Sequence, residues 1–287
     1  MSKPKLYATP AAFRRALEDR LKLRSRAEGT DFQRLMREVA FDRLLCRLFA
    51  AKDALWVLKG GYALELRMKE ARATKDIDLT LSRAMDPKDT PLKSAVHQKL
   101  VREAGRDLGD FFSFTVGEAM ADLDAAPYGG ARYPVEARLD GRTFVKFHVD
   151  VGAGDVVLAP FDTARAHDWL DFAGVPAGEF PAISLEQHFA EKIHAYTLQR
   201  RNPNSRVRDL VDMLLLIRSG GMRRAEILRA LDATFERRST HPLPAALLPP
   251  PAVWTKTFAA LAGASGLPVD MSEAFEVLDS FYAGLRQ

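Results

Sequence analysis

Two aspartates, Asp76 and Asp78, lie two positions apart in the segment Asp76-Ile77-Asp78-Leu79-Thr80-Leu81. The alternation of polar and apolar residues predicts a half-buried β-strand with both carboxylates on one face. Because the two carboxylates repel each other, we expect a cation between them. Carboxylate oxygens at this spacing suit Mg²⁺, which takes the rest of its ligands from water and phosphate. Such a pair also occurs in proteins without a metal, so it needs support from a second feature.

A glycine turn provides that support. Lys59-Gly60-Gly61 follows a short apolar strand pattern at residues 55–58, and the residues after it, to Met68, predict a helix. Glycines allow backbone N–H groups to approach phosphate oxygens, and a helix directs its positive end toward the same place. The alternative is a plain tight turn. The turn and the acid pair together favour a site for phosphate and metal.

A third acid, Asp150, lies on the second strand of a predicted hairpin. Residues 135–139 and 142–151 flank Asp140-Gly141, a strong signal for a two-residue hairpin turn. Period-2 geometry places Asp150 on the polar face of its strand, beside His148, which we interpret as a surface neighbour. If this strand pairs with the strand of Asp76, Asp150 completes a set of three carboxylates suited to two-metal phosphoryl transfer. Otherwise Asp150 is simply a solvent-facing residue.

The pattern of elements predicts an α+β fold with a mixed sheet in the first half and helices in the second. Two helices precede the first strand, and strand signals fade after about Asp162. We expect two domains, an α/β domain over residues 1–165 and a helical C-terminal domain over residues 166–287. The helices are predicted from Pro10 to about Arg26, from the cap Asp31, and over about residues 91–107, 184–200, 206–218 and 223–237, with two more after a Pro-rich stretch at 242–251.

The composition is that of an ordinary globular protein. Of 287 residues, 47% are hydrophobic, and 42 Lys and Arg face 38 Asp and Glu, which excludes disordered and collagen-like chains. The single cysteine, Cys46, excludes an intramolecular disulfide and a Cys-based zinc site, and its apolar neighbours predict a buried side chain. No apolar run approaches the ~18 residues of a membrane span. We therefore expect a soluble, cytoplasmic protein.

Arginines cluster in the second half of the chain. Guanidinium groups suit phosphate and nucleic acid, although solvated helix faces explain the same pattern equally well. The clusters permit a polyanionic partner without requiring one. They comprise Arg200, Arg201, Arg206, Arg208, Arg218, Arg223, Arg224 and Arg229.

Four blocks of sequence carry a resemblance to a known family. Residues 59–67, 72–79, 191–195 and 208–212 resemble, in matching order, the signature blocks of the AbiEii/AbiGii toxin family. These are nucleotidyltransferase-like toxins of bacterial type IV toxin–antitoxin and phage-defence systems, and they include the mycobacterial MenT toxins. The resemblance implies a DNA polymerase β-like nucleotidyltransferase core followed by a helical C-terminal domain.

The resemblance also implies an activity. MenT relatives use a nucleoside triphosphate and Mg²⁺ to add nucleotides, notably cytidine, to the 3′ acceptor end of tRNA, which blocks aminoacylation and growth. For this chain it implies CTP or another pyrimidine triphosphate as substrate, tRNA as acceptor and an AbiEi-like antitoxin as partner. Two alternatives stay open: nucleotidyl transfer to a small molecule or protein, and a non-catalytic toxin or regulator that binds a nucleoside triphosphate.

Site residues carry over position by position. Asp76 and Asp78 match the metal-binding acids, Asp150 matches the third acid only loosely, and Lys192 and Asp212 match the catalytic lysine and the later aspartate. Gly61 stands where the wider superfamily has serine, so the loop must rely on its backbone to hold phosphate. The nucleotide-binding residues are expected to be Lys59, Gly60, Gly61, Arg72, Thr74 and Asp209.

Asp209 and Asp212 are neighbours on one helical face because they are three positions apart. Our hypothesis is that Asp212 either positions Lys192 or accepts a proton from the attacking hydroxyl group. The alternative is structural, with Lys192 as a surface lysine and Asp212 in a surface pair with Arg208.

Overall fold

A computed structural model describes residues 7–85, 91–122, 127–199 and 206–286. The elements in these ranges are α1 (Pro10–Glu28), α2 (Phe32–Leu48), β1 (Trp56–Lys59), α3 (Gly60–Glu65), β2 (Asp76–Leu81), α4 (Leu92–Ala104), β3 (Phe112–Val116), β4 (Ala121–Asp122), β5 (Gly130–Leu139), β6 (Arg142–Gly152), β7 (Asp162–Arg165), β8 (Glu179–Ala182), α5 (Leu185–Thr197), α6 (Val207–Ser219), α7 (Arg224–Arg238), α8 (Thr255–Ala264) and α9 (Met271–Gly284). None of these helices is long and apolar enough to cross a bilayer.

The chain forms two compact units, and each combines several segments. Unit 1 contains the described chain up to Leu58, then Lys75–Gly154 and Thr163–Ala182. Unit 2 contains Lys59–Thr74, Asp155–Asp162 and the described residues from Ile183 onward. The sequence-based domain boundary near residue 165 stays a prediction.

The sheet is mixed, as predicted. Its strand order is β3-β5-β6-β2-β1-β8-β7, and β4 pairs with β5. The pairs β2–β6 and β1–β8 are parallel, whereas β5 is antiparallel to β3, β4 and β6. With the helices of unit 2, this arrangement confirms the α+β fold class.

Local signals located several elements correctly. Side chains of Thr9 and Asp31 cap α1 and α2 as expected, and β2 covers residues 76–81. The hairpin turns at Asp140 and Gly141, whose φ angles are 55° and 69°. Two consecutive positive φ values are typical of a type I′ turn, which explains the strength of the Asp-Gly signal.

Two expectations about strands were wrong. Strands do not end near Asp162, because β7 and β8 follow; each has only four residues, too few for a period-2 pattern to stand out. The first strand of the hairpin starts at Gly130 rather than Val135. Pro134 looks like a strand breaker, yet it pairs with His148 in the ladder and its carbonyl accepts a hydrogen bond from the Gly117 amide, at 2.8 Å.

A buried ion-pair cluster holds α2 in unit 1. The Asp110 carboxylate accepts hydrogen bonds from Arg43 Nε (2.7 Å) and from Arg47 Nη1 and Nη2 (2.9 and 2.6 Å). Burial alone would raise the pKa of Asp110, but the hydrogen bonds and charges of the two arginines outweigh it and lower that pKa. Asp110 is therefore ionised at neutral pH, and it neutralises two buried guanidinium groups only in part.

The core of unit 2 joins the segment around α3 to the C-terminal helices. Leu64 and Ala71 belong to the same buried cluster as Phe189 and Ile193 of α5 and Leu214 of α6. Residues 209–216 of α6 are all buried, so this helix lies in the interior of the unit. Apolar packing therefore fixes the glycine turn against helices that follow it by more than 100 residues.

We predict that Asp110→Asn destabilises the protein by about 3–5 kcal/mol, because it leaves two buried guanidinium groups without a carboxylate. Urea unfolding measures this change. The matched control is Asp19→Asn, whose carboxylate is exposed and pairs with Lys22 on one helix; it should cost less than about 1 kcal/mol. Equal unfolding midpoints for the two variants would contradict the prediction.

Candidate functional site

The three predicted acids lie on neighbouring strands of unit 1. β2 and β6 are parallel, and their register places Asp78 beside Asp150 and Asp76 beside His148. All four side chains are half-buried, whereas the alternate residues Ile77 and Val149 are fully buried. The expected pairing of the hairpin with the strand of Asp76 is therefore confirmed, and the three carboxylates share one face of the sheet.

Arg132 of β5, which the sequence analysis did not single out, is a cation on this acid face. Its Nε and Nη2 donate to Asp150 Oδ1 and Oδ2 at 2.8 and 2.7 Å, and Nη2 lies 3.5 Å from Asp76 Oδ2. His148 Nδ1 lies 3.2 Å from Asp76 Oδ1. The sequence predicts a cation between Asp76 and Asp78, whereas Arg132 binds Asp150 and approaches Asp76 through the pairing of β5 with β6.

The donor set fits a divalent cation in part. Asp76 and Asp78 are half-exposed carboxylates on one strand face, which is the chemistry that Mg²⁺ requires. Both oxygens of Asp150, in contrast, are engaged by Arg132. Within the described ranges, no group of three or more His, Cys, Asp or Glu side chains is arranged to hold a metal ion. The metal roles of Asp76, Asp78 and Asp150 stay predictions.

Lys192 is the centre of a buried charge network in unit 2. It lies on α5 with 9% of its surface exposed, and its Nζ donates to Asp212 Oδ2 at 2.6 Å and Asp209 Oδ1 at 2.9 Å. Arg72 Nε and Nη2 each donate to the Asp212 carboxylate at 3.0 Å. Four of the predicted site residues thus form one network.

The structural alternative for these residues is wrong. Lys192 is not a surface lysine, and Asp212 is 1% exposed and contacts Lys192 and Arg72. Arg208 is exposed on α6. A carboxylate that accepts hydrogen bonds from two cations inside the unit has a structural and electrostatic role beyond that of a helix-surface pair.

Burial alone would lower the pKa of Lys192 and raise that of Asp212, since it disfavours both charges. Asp209 and Asp212 outweigh this effect and raise the pKa of Lys192, whereas Lys192 and Arg72 lower the pKa of Asp212. Both groups are therefore charged at neutral pH. A carboxylate with a lowered pKa is a poor proton acceptor, which favours Asp212 as the residue that positions Lys192.

The glycine turn packs against Arg72 and Thr74. Gly60 has a φ of 67°, in the left-handed region. A Cβ on Gly61 would lie 2.9 Å from Thr74 Oγ1 and 3.6 Å from Arg72 Nη2, so this position has no room for a side chain. Because α3 has only six residues, its dipole is small. Any phosphate at the turn would depend on the backbone N–H groups and on nearby cations.

Lys59 is held by ion pairs within unit 2. Its Nζ lies 2.6 Å from Asp155 Oδ2 and 3.6 Å from Glu191 Oε2, and Arg238 also contacts both acids. Burial lowers the pKa of Lys59, but Glu191 and Asp155 outweigh it and raise that pKa. Sequence analysis missed Asp155 and Arg238, which lie outside the sequence blocks. The nucleotide-binding role of Lys59 stays a prediction.

His188, one helical turn before Lys192, is buried and neutral. It is 1% exposed, and neither ring nitrogen has a hydrogen-bond partner among the described residues. Burial and the charge of Lys192 hold its pKa well below the ordinary histidine value of 6.5. The side chain therefore adds no second positive charge beside the ammonium group.

One family model matches most of this chain. The family model described as nucleotidyl transferase AbiEii toxin, type IV toxin–antitoxin system, matches residues 43–275. Among solved structures, JHP933 from Helicobacter pylori is 14% identical with a TM-score of 0.45, covering 90% of this chain and 99% of its own. A candidate nucleotidyltransferase from H. pylori is 13% identical with a TM-score of 0.44, covering 88% and 96%. No curated protein matches the chain.

We predict that Gly61→Ala destabilises the protein by about 1–3 kcal/mol, because the new methyl group collides with Thr74. Gly263→Ala is the matched control: it lies in α8 of the same unit, and a Cβ there meets nothing within 4 Å. Alanine favours helix, so the control should stabilise by up to about 1 kcal/mol. Urea unfolding measures the stability of both variants. An unchanged free energy of unfolding for Gly61→Ala would contradict the close packing at this position.

The lowered pKa of His188 predicts a pH-dependent stability. Below pH 6.5 the unfolded chain binds a proton at His188 that the folded chain does not. The free energy of unfolding therefore falls by up to about 1.4 kcal/mol for each unit by which the pH is lowered. His188→Leu should remove this component between pH 6.5 and 5, as measured by urea unfolding at each pH. Phe189→Leu, a buried change on the same helix, should keep the wild-type slope. Parallel curves for wild type and His188→Leu would contradict the prediction.

Proposed function

This chain belongs to the AbiEii family of nucleotidyltransferase toxins of type IV toxin–antitoxin systems, and we propose that it transfers nucleotides from a nucleoside triphosphate to the 3′ acceptor end of tRNA. The proposed donor is CTP or another pyrimidine triphosphate. Nucleotides added beyond the acceptor end block aminoacylation and therefore translation. The antitoxin partner that the family implies is, in this proposal, an AbiEi-like protein.

The observation that carries the proposal is the acid pair, Asp76 and Asp78, on one face of β2 with Asp150 in register beside it. In this proposal Asp76 and Asp78 are the main ligands of Mg²⁺. Asp150 contributes less directly to the metal site, because Arg132 engages both of its oxygens. A bound magnesium ion would offset the negative charge of the triphosphate and favour ionisation of the attacking hydroxyl group. In the reaction, the 3′-oxygen of the acceptor attacks the α-phosphorus and pyrophosphate leaves.

Lys192 carries a fixed positive charge within unit 2. Lys192 is an ammonium group at neutral pH, and Asp209 and Asp212 hold it in one place. A cation held in advance stabilises negative charge on a triphosphate without further reorganisation. We assign that role to Lys192, and we assign to Asp212 the positioning of Lys192. The backbone of Gly60 and Gly61, with Arg72 and Thr74 packed against the turn, would contact phosphate oxygens.

Exposed arginines in unit 2 supply contacts for the acceptor. Their guanidinium groups suit the phosphates of an RNA backbone, and binding through them should weaken as salt rises. Arg200 and Arg201 lie outside the described residues. The exposed set among the clusters is Arg208, Arg218, Arg223, Arg224 and Arg229.

The test is incorporation of α-³²P-labelled nucleotides into total tRNA by the purified protein, with each of the four triphosphates separately. We expect labelling of tRNA with CTP or UTP, and a loss of at least about 100-fold in Asp76→Asn, Asp78→Asn and Lys192→Met. Asp232→Asn, an exposed acid on α7, is the control and should label as wild type does. Unfolding midpoints show whether each variant is folded.

Three outcomes would contradict the proposal. Equal labelling by wild type and Asp76→Asn would remove the acid pair from the reaction. Labelled protein or a labelled small molecule, with unlabelled tRNA, would favour transfer to those acceptors. Binding of the triphosphate without release of pyrophosphate would favour a non-catalytic toxin or regulator.

A further inference from the structure

We propose that Arg132 competes with a divalent cation for Asp150, so that Asp150 becomes a metal ligand only when the guanidinium group releases it. The inference rests on the proposed function, because it takes Asp76 and Asp78 as the primary metal ligands. It concerns unit 1 alone, and it gives Arg132 the role of a positioning residue that sets the metal affinity of the acid face.

The geometry of Arg132 matches that of a competitor. Its guanidinium group engages both oxygens of Asp150, at 2.8 and 2.7 Å, and approaches Asp76 at 3.5 Å. The three residues occupy adjacent strands, and Arg132 is directly opposite Asp150 in the β5–β6 ladder. A bidentate bond of this kind is strong and directional. A cation that takes an oxygen of Asp150 must therefore replace at least one of these hydrogen bonds.

The solvent exposure of Arg132 and Asp150 allows a metal ion to replace the guanidinium group. The Arg132 side chain is 35% exposed, whereas the Asp150 side chain is 12% exposed. The guanidinium group can therefore move toward solvent while the shorter carboxylate stays in the sheet. Because both oxygens of Asp150 are paired within the protein, Asp76 and Asp78 must provide most of the initial attraction for a divalent cation.

Charge explains why a guanidinium group lies on the acid face. Three carboxylates on one sheet face repel one another, and Arg132 reduces their combined charge from three negatives to two. A divalent ion carries twice the charge of the guanidinium group at closer range, and it can replace Arg132 on electrostatic grounds. The free energy of metal binding to the wild-type protein is then the binding free energy of the three carboxylates in the absence of Arg132, reduced by the free energy needed to break the Arg132–Asp150 pair.

The experiment measures Mn²⁺ binding to the full-length protein without nucleotide, using the electron paramagnetic resonance signal of free Mn²⁺. We expect Arg132→Gln to bind Mn²⁺ at least about tenfold more tightly than wild type. Asp150→Asn should change wild-type affinity by less than about threefold, but should weaken binding at least about tenfold in the Arg132→Gln background. Arg138→Gln, an exposed arginine on the same strand, should leave affinity unchanged.

A second measurement, the Tm with and without Mn²⁺, shows whether differences in folding between the variants explain their affinities. Saturating Mn²⁺ should raise the Tm of Arg132→Gln more than that of wild type, because the variant without metal carries the full repulsion of three carboxylates. Arg132→Lys, which keeps the charge but cannot form the bidentate bond, should give an intermediate affinity.

The inference is overturned if Arg132→Gln binds Mn²⁺ no more tightly than wild type, or if Asp150→Asn has the same effect in both backgrounds. These results leave the proposed function intact as long as Asp76→Asn weakens Mn²⁺ binding. If Asp76→Asn and Asp78→Asn bind Mn²⁺ as wild type does, the metal role of the acid pair fails instead, and the inference fails with it.

Discussion

A charge that leaves water must find a partner, and this constraint organises unit 2 around the ammonium group of Lys192. An unpaired ammonium at this depth would lose its proton or unfold its surroundings. Asp209 and Asp212 supply the partners from α6, and Asp212 in turn binds Arg72. Together with the apolar core of the unit, this ion-pair network joins α5 to α6 and ties both to the segment that contains the glycine turn. The same constraint operates in unit 1, where Asp110 holds Arg43 and Arg47.

Elements whose signal is local could be predicted from the sequence. The strand of Asp76 and Asp78 alternates strictly, the Asp-Gly turn requires two positive φ values, and the caps of α1 and α2 lie next to the helices they begin. The structure confirms each of them. β7 and β8 were missed because four residues carry little periodic signal. The start of β5 was missed because the strand propensity of proline is low, whereas the pairing of Pro134 depends on its position in the sheet.

The composition of the candidate site could be predicted only in part. The acids and Lys192 follow from residue type, spacing and family resemblance, but the partners that set their charge states come from distant segments. Arg132 binds Asp150 across a hairpin, Arg72 binds Asp212 across 140 positions, and Asp155 binds Lys59 across 96. No pattern within a single segment reports such pairs. An arginine from a neighbouring strand therefore belongs to the acid cluster as much as the acids do.

The separation between Arg72 and Asp212 has a consequence for synthesis on the ribosome. Arg72 is translated 140 residues before the carboxylate that binds it, which at typical elongation rates of about 5–20 residues per second is on the order of ten seconds. During that interval Arg72 lacks its ion pair with Asp212, and the nascent glycine turn lacks the C-terminal helices that pack against its segment. A translation product that stops before α6 contains every acid of the sheet but cannot contain a paired Lys192. Within this fold, the Lys192–Asp212 pair can arise only in a chain whose elongation has passed Asp212.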